Sequence, residues 1–145
     1  MYIKQLSVFI ENREGRLKDV LTALKQKNIN IVSLSLADTS EYGMLRMIVS
    51  DPEAGKEILR SNGFSAMLTD VLAIKLAHRV GFLQELLAVI CTAGINIEYM
   101  YALSTGADDA SIVIKTSDLD KAQKVLHVAG VDAFTKEDIA VMCGN

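Results

Sequence analysis

Residues 13–31 recur 66 positions later as residues 79–97, and this repeat constrains the fold more than any other feature of the chain. Arg13, Gly15, Leu17, Leu21, Ile29, Asn30 and Ile31 match Arg79, Gly81, Leu83, Leu87, Ile95, Asn96 and Ile97, seven identities in 19 positions. Apolar character is also kept at Val20/Leu86 and Leu24/Ile90. Further on the offset becomes 67, and Asp51, Ile58, Leu59, Gly63 and Ala66 match Asp118, Val125, Leu126, Gly130 and Ala133. A one-residue slip between strands is tolerated because turns lie on the surface. The chain therefore reads as two copies of one supersecondary unit.

Within the first copy, residues 2–10 carry Ile3, Leu6, Val8 and Ile10 in a strand-like pattern. Residues 15–27 place Leu17, Val20, Leu21 and Leu24 at three- and four-residue spacing, an amphipathic helix. Residues 29–37 and 44–49 read as strands around a turn at 38–43. Asp51 suits a helix N-cap and Pro52 the first helical position. The helix then runs to Asn62-Gly63. The second copy predicts a strand to about 77, a helix over 82–93, strands over 95–103 and 110–116 with a turn at 105–109, a helix over 118–128 and a final strand within 131–142.

The predicted class is α+β: ferredoxin-like βαββαβ units in tandem, antiparallel sheets with the helices on one face. The repeats divide as residues 1–68 and 69–145. Read from the two repeats in turn, the last strand of the first falls near 67–75 and the first strand of the second at 69–77. A strand near 67–77 shared between the copies, or displacing a neighbour, accommodates this overlap.

The bulk numbers exclude several roles. The chain has 145 residues, 50% of them apolar and 23% charged, a globular balance. Net charge is −3 and no run of Lys or Arg exceeds two, so the clustered basic face of a nucleic-acid binder is not expected. No apolar run approaches a membrane span of roughly 18 residues. The start of the chain reads as a strand rather than a secretory leader. Cys91 and Cys143 lack neighbours at metal-ligand spacing and read as reduced thiols of a cytoplasmic protein. No cofactor is expected, since neither a phosphate loop nor a dinucleotide fingerprint is found.

Chemistry concentrates where the first strand of each copy turns into its helix. The first turn reads Glu11-Asn12-Arg13-Glu14-Gly15-Arg16-Leu17, the second Ala77-His78-Arg79-Val80-Gly81-Phe82-Leu83. A glycine before a helix permits unusual dihedrals. The helix start behind it offers unpaired N–H groups and the positive end of a dipole, a cradle for a carboxylate. A tight turn with Asn12 as a simple cap is the competing reading. Asn30 and Asn96 open the second strand of each copy between isoleucines, either as turn residues or as ligand contacts. Other candidates are weaker. His127 reads as solvent-facing, Asp108-Asp109 and Glu137-Asp138 as solvated turns or strand starts, and Tyr99 and Tyr101 as neighbours on one strand face.

Asn-x-x-Gly-x-Leu followed by Ile-Asn-Ile, whose Asn lies thirteen residues after the Leu, in this frame, resembles the ACT domains, small regulatory units of amino-acid metabolism. The stretch 11–17 is most similar to the serine-sensing ACT domain of phosphoglycerate dehydrogenase. The resemblance implies that Asn12 and Asn30 hold an amino-acid effector at the Gly turn and the interface between units, with Arg13, Glu14, Gly15, Leu17 and Ile31 around it. In the second copy it implies His78, Arg79, Gly81, Phe82 and Asn96. The family's ligand histidine falls on Ile10, and its proline before the glycine on Glu14 and Val80, departures that leave the identity of the amino acid open. The resemblance further implies a homodimer that acts on an enzyme of amino-acid metabolism without catalysis of its own. Two rivals stand beside it: an acylphosphatase-like hydrolase using Arg13 and Asn12, and an interaction module that binds no ligand.

Overall fold

The computed structural model describes residues 2–38, 41–77, 79–104 and 110–142. Among them the order of elements is β1 (Ile3–Glu11), α1 (Arg16–Gln26), β2 (Ile31–Asp38), β3 (Tyr42–Val49), α2 (Pro52–Ser61), β4 (Ser65–Leu76), α3 (Phe82–Thr92), β5 (Ile97–Ser104), β6 (Ala110–Thr116), α4 (Leu119–Val128) and α5 (Lys136–Met142). They divide into two compact units, Lys4–Thr69 on one hand and residues 2–3 with Asp70–Met142 on the other. β4 is a single strand of 12 residues that contributes to each.

In the first unit β3 lies between β2 and β1, antiparallel to both, and β4 is the next neighbour of β1. Register sets Leu6 opposite Met47 and Val8 opposite Leu45. Strand side chains alternate between faces, so these residues share one side of the sheet. That side meets Val20, Ala23 and Leu24 of α1 and Leu59 of α2 in one buried cluster. Full burial of a leucine such as Leu24 stabilises the fold by about 1.5–3 kcal/mol. α2 begins where Asp51 accepts the Ala54 N–H at 3.1 Å, with Pro52 at the first helical position.

The second unit repeats the plan. β6 lies between β4 and β5, antiparallel to both. Leu72, Ile74, Ile112 and Ile114 form a buried cluster with Leu86 and Ile90 of α3 and Ala122 and Leu126 of α4. Asp118 caps α4 through the Lys121 N–H at 3.0 Å, as Asp51 caps α2. Tyr99 and Tyr101 stand opposite Lys115 and Val113, on the face turned away from this cluster.

The last element departs from expectation. In place of a final strand within 131–142 there is a single bridge, Ala133 to Ile74, with the Phe134 N–H donating to the Ala73 carbonyl at 2.7 Å, and then α5. Thr135 and Asp138 explain the change. The Thr135 N–H and hydroxyl both donate to Asp138 Oδ2, at 2.7 and 3.0 Å, and the Asp138 N–H donates back to Thr135 Oγ1 at 3.2 Å. This reciprocal cap starts a helix and ends the extended run. Glu137 and Asp138 therefore sit in a helical first turn, not at a strand start.

Close packing beneath α2 is the most demanding contact in the first unit. A Cβ built on Gly55 would lie 2.8 Å from Leu6 Cδ2 and 3.5 Å from Leu24 Cδ2, and both leucines are fully buried. Gly55→Ala raises helix propensity by nearly 1 kcal/mol, yet overpacking in a rigid core costs about 1–3 kcal/mol. The substitution should lower unfolding free energy in urea by about 1 kcal/mol, and a more stable variant would refute the packing argument.

Candidate functional site

The two Gly turns are the same structure built twice. In the first, the Arg13 N–H donates to the Glu11 carbonyl at 2.8 Å, Arg16 N–H to Arg13 at 3.3 Å and Asp19 N–H to Gly15 at 3.0 Å. In the second, Arg79 donates to Ala77 at 2.9 Å, Phe82 to Arg79 at 3.4 Å and Glu85 to Gly81 at 3.0 Å. Gly15 and Gly81 hold left-handed backbone angles, φ 85° and 87°. A side chain there would cost about 1–2 kcal/mol from backbone sterics alone.

Neither α1 nor α3 has a side-chain cap. The Arg16 and Phe82 N–H groups turn back to the Arg13 and Arg79 carbonyls, and among the described residues no side chain caps the amides that follow. α2 and α4, by contrast, are both capped by aspartate.

Each turn borders a recess. The first, about 100 Å³, is lined by Ile10, Glu11, Asn12, Arg13 and Leu17 with Leu36 and Gly43 of the neighbouring strands. Gly43 packs closely here, since a Cβ there would lie 3.2 Å from Leu36 Cδ1. The second, about 570 Å³, is lined among the described residues by Leu76, Ala77, Arg79, Val80, Gly81, Phe82, Leu83, Gln84 and Ala110. Thus Asn12, Arg13 and Leu17 come together at the first, and Arg79, Gly81 and Phe82 at the second. Glu14 and Gly15 form the first turn without lining its recess. His78 lies outside the described residues, as do Asp108, Asp109 and Cys143.

Asn30 and Ile31 do not join Asn12. They line a separate recess with Leu21, Leu24, Lys25, Asn28 and Ile29 at the far end of α1. That helix has 11 residues, so the two ends are about 16 Å apart at 1.5 Å per residue. One free amino acid cannot span both within a unit. Asn30 has a structural task where it stands. Its N–H donates to Ser50 Oγ at 2.9 Å, and its carbonyl accepts from the Ser50 N–H at 2.9 Å. Asn96 makes the same clamp with Ser117, at 3.0 and 2.9 Å.

Charge is arranged differently at the two turns. Arg13 is an exposed partner of Glu11 at 3.4 Å. Arg79 makes a two-pronged pair with Glu85, at 3.0 and 2.6 Å. The hydrogen bond from Arg79, more than its charge, holds the Glu85 carboxyl below the usual carboxylate range, against the opposing effect of desolvation. The same hydrogen bond, with the Glu85 charge behind it, raises the Arg79 guanidinium further. Glu85 was not legible as a site neighbour, because only the folded turn brings it back to a residue six positions earlier. Leu36, Gly43 and Ala110 arrive through strand register, which spacing along the chain does not reveal.

Elsewhere the candidates stay simple. His127 is exposed and 2.7 Å from Asp132. Cys91 is an exposed free thiol. Among the described residues no cluster of three His, Cys, Asp or Glu could hold a metal, and no helix is long and apolar enough to cross a membrane.

A family model described as ACT domain pair matches residues 1–143. The crystal structure of protein BT0572 from Bacteroides thetaiotaomicron is 38% identical, with a TM-score of 0.90 over 97% of this chain and 96% of that one. The ligand-free regulatory subunit of aspartate kinase from Thermus thermophilus matches at 18% identity and a TM-score of 0.62, over 87% of this chain and 91% of that one. The regulatory subunit of aspartate kinase from Thermus flavus matches at 20% and 0.60, over 88% and 92%. These last two establish likeness of fold alone. No curated protein sequence matches the chain.

The Arg79–Glu85 pair has a sign that can be checked. A carboxyl whose folded pKa is depressed adds stability above its unfolded pKa, and that contribution is lost as pH falls through the folded value. Both side chains are about half exposed, so solvent screens the pair. An NMR titration of the Glu85 carboxyl should give a midpoint below the ordinary glutamate value, moving up towards it in Arg79→Ala. Equal midpoints in the two proteins would show that the pair does not form in solution.

Proposed function

The chain belongs to the ACT domain pair family, and from that premise we propose that it is a regulatory chain that binds a free amino acid and performs no chemistry of its own. The observation that carries this reading is the contrast between helix starts. The chain caps α2 and α4 with aspartate and leaves α1 and α3 open beside a recess. An uncapped helix start with a positive dipole end suits a carboxylate. In this reading the ligand's carboxylate sits at the start of α1, and Asn12 fixes its orientation. Arg13, Glu14, Gly15 and Leu17 shape the pocket. Arg79, Gly81 and Phe82, with His78, serve the second copy.

Asn30 and Ile31 reach a ligand at a Gly turn only from another unit, because α1 separates them from the Asn12 of their own. A homodimer placing the Asn30 end of one chain against the Gly turn of its partner is the assembly we propose, with Asn96 in the matching role. The fold shared with aspartate kinase regulatory subunits supports an enzyme of amino-acid metabolism as the target, in the cytoplasm. Neither nucleic acid nor membrane enters the scheme. We also read residues 1–68 and 69–145 as the two repeats, with the strand near 67–77 common to both. Limited proteolysis between 64 and 80 should then fail to release two stable halves.

Binding to the folded state alone adds RT ln(1 + [L]/Kd) to its stability. A thermal-shift panel of the twenty amino acids at millimolar concentration should yield at least one that raises Tm. Asn12→Ala should remove the shift of a ligand bound at the first turn, and an interaction module would show no shift with any of them.

A further inference from the structure

The second helix of each unit packs beside the run of chain that follows it, and the two units fill that place differently. At the offset of 67, Arg60, Phe64, Ala66 and Leu68 correspond to His127, Val131, Ala133 and Thr135. In the first unit Phe64 and Ala66 join Leu59 of α2 in the buried cluster, with Leu68 packed against it. Arg60 ties α2 to this run, its Nε donating to the Ala66 carbonyl at 2.9 Å. In the second unit three of the four side chains are smaller. Valine stands in place of the phenylalanine ring, and Thr135 opens α5 where Leu68 continues a strand. His127 meets Asp132, at 2.7 Å.

Between α4 and residues 131–135 lies a recess of about 840 Å³, within the usual range for small-molecule sites of roughly 300–1,000 Å³. All of its lining belongs to the second unit, and none of it is shared with the recess at the Gly81 turn. Leu72, Leu126, Val128, Val131 and Ala133 form its apolar wall. Asp120, Gln123, Lys124, His127, Asp132 and Thr135 supply its polar groups. Their charges are not equally available. His127 and Asp132 engage each other, and Asp120 lies in the first turn of α4, where the helix start favours a carboxylate. Lys124 has no ion-pair partner among the described residues. Its methylene stem lets the ammonium lean along an apolar wall while staying in water. Apolar space that a side chain leaves open can take up an aromatic ring.

We propose that the recess beside α4 binds a small aromatic carboxylate. The ligand's ring takes the place that Phe64 fills in the first unit, and its carboxylate meets Lys124. This assignment is independent of the reading of the Gly turns.

An NMR titration of the full chain with phenylacetate tests it, with phenethylamine as a cation of similar shape. Phenylacetate at millimolar concentration should shift amide signals within residues 120–135. Val131→Phe installs the first unit's residue and should abolish those shifts. Lys124→Gln changes an exposed side chain and should weaken phenylacetate by roughly two- to fivefold, the range of an exposed ion pair. Phenethylamine should bind more weakly than phenylacetate to the unaltered chain. If Val131→Phe loses the dispersed spectrum of a folded protein, Lys124→Gln and the phenethylamine comparison still decide. No shift within 120–135, binding that survives in folded Val131→Phe or ignores Lys124→Gln, or a preference for phenethylamine would overturn the assignment.

Discussion

Everything distinctive about this chain depends on a glycine in the left-handed region at the step from strand to helix. Gly15 and Gly81 let the backbone reverse within four residues. They do so without a side chain at the N-cap, so among the described residues no side chain closes the helix start. A serine or aspartate there would cap the helix in the ordinary way, as the aspartates of α2 and α4 do. The left-handed turn thus trades local helix stability for an open row of N–H groups. The sheet and paired helices around it are a frame that fixes where that row points.

Duplication has preserved the frame more strictly than the rim. The Asn–Ser backbone clamps at 30/50 and 96/117 are alike, and so are the two aspartate caps and the hydrogen bonds of the two turns. Divergence gathers at the turns, where the sequence sets Glu14 against Val80, Arg16 against Phe82 and Asn12 against His78. The Arg16/Phe82 pair shows how a single exchange spreads. Arg16 meets Asp19 in the first copy, whereas Glu85 at the equivalent position meets Arg79 in the second.

Much of this was written in the sequence, and the failures are instructive. The repeat and its periodicities predict every strand and helix through α4 with small shifts at the ends, because amphipathic elements facing one core leave a regular trace. The final strand was misread because apolar residues at 131–134 resemble a strand, while the signal that ends it, Thr135 with Asp138, lies just beyond. Gln5 and Ser7, the polar residues of β1's alternation, are both buried and bond to each other at 3.1 Å. Period-two reasoning separates the faces of a strand but does not say which faces are wet. At the site, Arg13 and Gly15 were conspicuous by repetition. Asn30 was grouped with Asn12 by resemblance, and the length of α1 separates them.

An unclosed helix start also has a dynamic signature. Amides in the first turns of α1 and α3 lack the protection that a cap confers, so they belong to the shallowest level of opening in the molecule, whereas those behind Asp51 and Asp118 are tied down. An occupant would tighten those turns without requiring the frame to move, acting first through lost motion. On the proposed reading, small oxyanions such as sulfate and phosphate would compete for both turns.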